Sequence, residues 1–150
     1  MKIRKHQIHF FILLFAVSSL LFHSPSDFEA FADSNSDGSV KSTLEINDST
    51  TNGPDLSNND RFGWSVANIG DLDRNGVTDI VVGATQDDAG GNNRGTVHIM
   101  FMEGDGSVKS TVEINSDTTN GPTLTNTDQF GYSVENLGDL DGDGVTDLAV

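Results

Sequence analysis

Residues 70–84 read GDLDRNGVTDIVVGA, and residues 138–150 read GDLDGDGVTDLAV. An acidic decapeptide is written twice, 68 positions apart. Its carboxylates repel one another, so either a cation gathers them or they form a solvated turn. The apolar run that follows, Ile80 to Ala84, is too short for a helix and rich in β-branched residues, so it reads as a strand buried on both faces. An acidic turn feeding a buried strand, and doing so twice, is a repeat of β-units.

Working outward, Asp37–Val82 lies over Asp105–Val150 at an offset of 68, with about 32 of 46 positions identical. That period is longer than in most solenoids and suits one propeller blade with generous loops. Alternation and β-propensity predict strands at Phe62–Ile69, Asp79–Ala84, Gly95–Met102 and Val108–Ile114. The last alternates like an edge strand with one wet face. A turn at Gly104–Gly106 precedes it. An N-terminal strand is expected near Val40–Ile46, and the first two strands of a second blade within Phe130–Val150. No segment after the leader has a helical period.

The acidic loops have the chemistry of a cation site. Counted from Asp71, positions 1, 3 and 5 are Asp71, Asp73 and Asn75, position 6 is Gly76, position 7 is Val77 and position 9 is Asp79. The second loop supplies Asp139, Asp141, Asp143, Gly144, Val145 and Asp147. Alternate residues of a tight loop can turn their oxygens inward, glycine permits the sharp bend, and the main-chain carbonyl at position 7 adds one more oxygen. This is the first part of an EF-hand loop, closed by position 9 instead of a glutamate at 12. An all-oxygen set favours Ca²⁺ over zinc or copper, and magnesium's stricter octahedron makes it the weaker candidate. The first loop has Asn75 where the second has Asp143, so the first is expected to bind more weakly.

The totals agree with an exported cation binder. Eight Lys+Arg stand against 23 Asp+Glu, a formal charge of −15. That argues against nucleic acid and anionic lipid as partners, and suits cations or simply high solubility. There is no cysteine, so there are no disulfides, thiolate sites or thiol catalysis. Residues 1–32 have the layout of a secretory signal peptide: Lys2, Arg4 and Lys5, an apolar run from Ile8 to Phe22, then Ala30-Phe31-Ala32. The apolar run falls short of the ~20 residues that span a bilayer. After cleavage, residues 33–150 are expected outside the cell or on its surface, with no inserted segment.

Phe62-Gly63, the acidic loop, and Gly83-Ala84 occur in that order, and Phe130-Gly131 with the second loop begins the pattern again. The set resembles the FG-GAP repeat of integrin-α-type β-propellers. Thr85 stands where that family usually has proline. The resemblance implies an all-β fold, a partial propeller of four-stranded antiparallel blades truncated within the second repeat, with further blades in a longer chain. It also implies a non-catalytic, calcium-binding module for adhesion or recognition of an extracellular protein or glycan, its calcium loops structural. The alternatives are an accessory propeller of an exported hydrolase and an architectural surface-layer repeat.

The other polar features have plainer readings. His98 is taken as a surface or strand histidine, Asp87 and Asp88 as part of a solvated loop, and Asp33–Lys41 as a hairpin turn. Trp64 and Tyr132 share a repeat position and are expected in blade-to-blade core. No residue is assigned a catalytic or organic-cofactor role. Gln86–Arg94 is the candidate recognition loop.

Overall fold

The computed structural model describes residues 43–150, of which 44–150 form one compact unit. The proposed leader, and the Asp33–Lys41 turn, lie outside the described residues. Four strands form an antiparallel meander in the order β1-β2-β3-β4: β1 (Phe62–Gly70), β2 (Asp79–Ala84), β3 (Thr96–Met102) and β4 (Val108–Ile114). A two-stranded sheet follows, β5 (Glu135–Gly138) with β6 (Asp147–Ala149). No helix is present among the described residues. This is the four-stranded unit expected from the repeat, an all-β fold consistent with part of a propeller.

The sheet is covered on both faces, which explains the unbroken apolar run of β2. Its alternate side chains go to different cores. Val81 joins Ile69, Val97 and Val134 on one face, while Val82 joins Met100, Met102 and Val108 on the other. The first cluster is completed by Phe130 and Leu148 of the second repeat, the second by Ile46 and Phe62. Val81 and Val97 are fully buried, each contributing about 1.5–3 kcal/mol. A bulge between Asn68 and Gly70 gives β1 an extra residue, Ile69, which the first core buries. The same irregularity recurs between Asn136 and Gly138, where the extra residue, Leu137, is half-exposed.

Glycine decides how the two repeats meet. Gly131 lies against Gly83 and accepts a hydrogen bond at its carbonyl from Ser65 Oγ (2.7 Å). A Cβ on Gly83 would overlap that carbonyl oxygen and stand 2.5 Å from Ser65 Oγ. The glycine of one Phe-Gly pair thus packs on the glycine of the preceding Gly-Ala pair. Further along the seam, Asn136 Nδ2 donates to the Asn68 carbonyl (2.8 Å), and the Phe130 amide donates to the Arg94 carbonyl (2.7 Å).

One expectation is corrected. Thr43–Ile46, the described part of the expected N-terminal strand, pairs with no strand, although Ile46 still packs into the second core. The second repeat's first two strands fall within Phe130–Val150 as expected, the first beginning at Glu135. The backbone before it is spent elsewhere: the Phe130 amide on Arg94, and the Tyr132 amide on the Gln129 carbonyl (3.1 Å).

Candidate metal centre

The first acidic loop joins β1 to β2 and is tied down at Asp79. That side chain is fully buried, and its two oxygens accept from the Leu72 amide (2.8 Å) and the Met102 amide (2.9 Å). One carboxylate therefore fixes the loop's start and pins it to the end of β3. Asp71 accepts from the amides of Asn75 (2.9 Å) and Gly76 (2.8 Å), and Asp73 accepts from the Asn75 amide (3.1 Å). These bonds bring one oxygen each of Asp71, Asp73 and Asp79 within 4.8 Å of one another. Asn75 faces two ways: Nδ2 donates to the Met102 carbonyl (2.9 Å), and Oδ1 accepts from the Val77 amide (2.7 Å). The Val77 side chain packs against the second core.

The second loop repeats the arrangement. Asp147 accepts from the Leu140 amide (2.7 Å), and Asp139 accepts from Gly142 (2.8 Å) and Gly144 (2.9 Å). Asp139, Asp141 and Asp147 gather as their counterparts do. Asp143 stands outside this trio, its Oδ1 accepting from the Val145 amide (2.8 Å). Val145 is half-exposed.

The donor set fits a hard divalent cation: three convergent carboxylates per loop, with no nitrogen or sulfur among them. The first trio already draws a cation, since Lys109 Nζ lies 2.6 Å from Asp73 Oδ2. The hydrogen bond from that ammonium holds the Asp73 carboxyl below its ordinary range, and the same bond raises Lys109.

A second polar cluster escaped the sequence reading. His98 is fully buried, its Nε2 3.4 Å from Asp87 Oδ2 and its Nδ1 3.8 Å from Glu113 Oε1. Phe62 meets the imidazole edge-on at 5.5 Å. Burial pushes the Asp87 carboxyl up, but the nearby His98 imidazole and the bond from the Ala89 amide outweigh it, and the net movement is down. Burial raises Asp60 and Glu113. Asp87 is thus a buried strut and not part of a solvated pair. The signal available was the register: Val82 opposite His98 opposite Glu113 puts the histidine in the middle of the sheet.

Two more placements differ from expectation. Trp64 and Tyr132 do meet across the repeats, with ring centroids 5.3 Å apart, but they are 46% and 60% exposed and form a surface pair instead of core. Arg61 lies over the Trp64 ring at 5.3 Å. The Gln86–Arg94 loop is largely a clamp between repeats: Asn92, Asn93 and Arg94 accept at their carbonyls from the amides of Thr127, Gln129 and Phe130.

This seam, with Phe-Gly of one unit set against Gly-Ala of the one before, brings the comparison with known families to a point. Residues 62–100 match the model of the FG-GAP repeat. That stretch of the chain carries an FG-GAP repeat. The chain is similar to integrin alpha-2 of Mus musculus, 30% identical over 98 residues, which is 65% of this chain and 8% of that protein. Similarity to integrin alpha pat-2 of Caenorhabditis elegans is 36% over 92 residues, and to integrin alpha-11 of Homo sapiens 37% over 92 residues. These matches cover 60% and 61% of the chain, and 7% of each relative. The chain therefore spans less than a tenth of the length of the curated relatives it matches.

Proposed function

We propose that this chain is part of an exported, calcium-stabilised propeller module that recognises an extracellular protein or glycan and performs no chemistry of its own. The observation that carries the reading is the convergence of three carboxylates twice, at the same place in two repeats. Asp71, Asp73, Asn75, the Val77 carbonyl and Asp79 are the proposed ligands of the first loop. Asp139, Asp141, Asp143, the Val145 carbonyl and Asp147 are those of the second. Bound calcium supplies the charge that offsets carboxylate repulsion. The chain supplies the frame: backbone amides orient each carboxylate, and Asp79 ties the loop to β3.

In a cysteine-free chain such a site couples cation binding to folding. The signal-peptide layout of residues 1–32 supports export, and the integrin similarity supports recognition. His98 supports the non-catalytic reading, because it is fully buried and braced by acids, out of reach of a substrate.

Thermal melting in calcium and in a chelator tests this. Calcium at about a hundredfold over Kd stabilises by about 2.7 kcal/mol, so Tm rises by roughly 10 °C or more. Asp71→Asn combined with Asp139→Asn should abolish the rise. Equal melting in calcium and EDTA would refute the proposal.

A further inference from the structure

We infer that Lys109 is a tethered counter-cation for the first acidic loop, so that this loop keeps its shape without a metal while the second depends on one. The inference rests on the calcium reading above and concerns how the two sites differ. Lys109 lies on β4, the edge strand of the same sheet, and reaches Asp73 Oδ2 at 2.6 Å. Its ammonium therefore occupies a lone pair that a cation in the loop would need.

Two further features set the loops apart. Arg74 sits inside the first loop in the left-handed region (φ 62°), where the second has Gly142 (φ 81°). Asn75 donates to the Met102 carbonyl, a neutral anchor to β3. With Asp71, Asp73 and Asp79 set against Arg74 and Lys109, the first loop carries a formal charge of −1. Asp139, Asp141, Asp143 and Asp147 give the second −4, and among the described residues none of these four is paired with a lysine or arginine.

A cation entering the first loop has to displace the ammonium from Asp73, whereas one entering the second meets only repulsion to relieve. Lys109 thus lowers the first loop's affinity and also lowers its need for the ion. That gives the module one site occupied at low calcium and one that fills only where calcium is abundant.

The test uses the full chain with the second loop silenced by Asp139→Asn, Asp141→Asn and Asp143→Asn. Its calcium affinity is measured by calorimetry with and without Lys109→Met. The expected result is binding about three- to tenfold tighter once the ammonium is gone, with Lys109→Arg staying near the parent. Melting gives an independent readout on the otherwise unmodified chain: Lys109→Met lowers Tm in EDTA, and the gap closes in saturating calcium.

Unchanged or weaker binding in Lys109→Met, or a Tm loss equal in calcium and EDTA, overturns the inference. If the silenced parent binds no calcium, binding recovered by Lys109→Met supports the inference and its absence overturns it. If the unmodified chain itself binds none, the calcium proposal fails and takes this inference with it, a result distinct from the others.

Discussion

Replacing Gly83 with alanine tests the repeat seam with a single methyl group. Gly83 does not have a positive φ, so alanine meets no backbone strain there and its cost is contact alone. The new Cβ would overlap the Gly131 carbonyl oxygen, with the Gly131 carbonyl carbon at 2.9 Å and Ser65 Oγ at 2.5 Å. Two of these three atoms are backbone and cannot rotate away. Forcing a methyl into such a contact costs about 1–3 kcal/mol. Displacing Ser65 from Gly131 adds the loss of one hydrogen bond, about 1 kcal/mol. The sum, about 2–4 kcal/mol, corresponds to a fall in Tm of roughly 10–20 °C for a domain of this size. Gly104→Ala is the control, because its Cβ would meet nothing nearer than Val77 Cγ2 at 4.0 Å. Urea melts of the two variants, followed by the fluorescence of the single tryptophan, Trp64, give the comparison. If Gly83→Ala melts with Gly104→Ala, within about 0.5 kcal/mol, the seam does not hold the repeats as argued.

The buried polar cluster makes opposite predictions for its two acids. The folded Asp87 carboxyl lies below its ordinary 3.8, so its stabilising contribution is present above that value and is lost as pH falls through the lower one. The Tm gap between the wild type and Asp87→Asn should therefore be wide at pH 7 and narrow below about pH 3.8. Glu113 is raised above 4.5 by burial, so stability present below 4.5 is given up as pH climbs through the folded value. Glu113→Gln should be more stable than wild type at pH 7 and level with it near pH 4, as read by melts across that range. Arg94→Ala removes the side-chain bonds to Asn126 (3.0 Å) and Ser116 (3.2 Å) but leaves the carbonyl that Phe130 uses. It should cost about 1 kcal/mol or less in a urea melt, and a larger loss would move the weight of the seam from backbone to side chain.

The blade was legible because its strands carry local signals. In β2, the run Ile80–Val82 is β-branched throughout and bounded by an acidic turn and a glycine, so its ends came out at the residues observed. The Thr43–Ile46 segment has the same kind of composition as β4, being its repeat counterpart, yet forms no ladder. Propensity only permits a strand, and a partner edge decides it. Phe130–Val134 likewise follows the pattern of the first residues of β1 but bonds to the Arg94 side of the preceding unit.

The site was legible for a different reason, and only in part. A loop whose ligands come from alternate residues of one decapeptide keeps its geometry in the sequence, so Asp71, Asp73 and Asp79 could be named in advance. Lys109 and Met102 reach the same loop from strands more than 20 residues away, and their contacts depend on the β2-β3-β4 register. His98, Asp87 and Glu113 meet for the same reason, across two strands and a loop. A repeat comparison sharpens this limit. Lys41 is the counterpart of Lys109, and the two sit in identical stretches, DGSVK. What makes Lys109 the partner of the first loop is that β4 follows that loop within the same sheet. Lys109 therefore serves the acidic loop that precedes it in its own unit, so the charge at that site is set by its blade and not by the decapeptide alone.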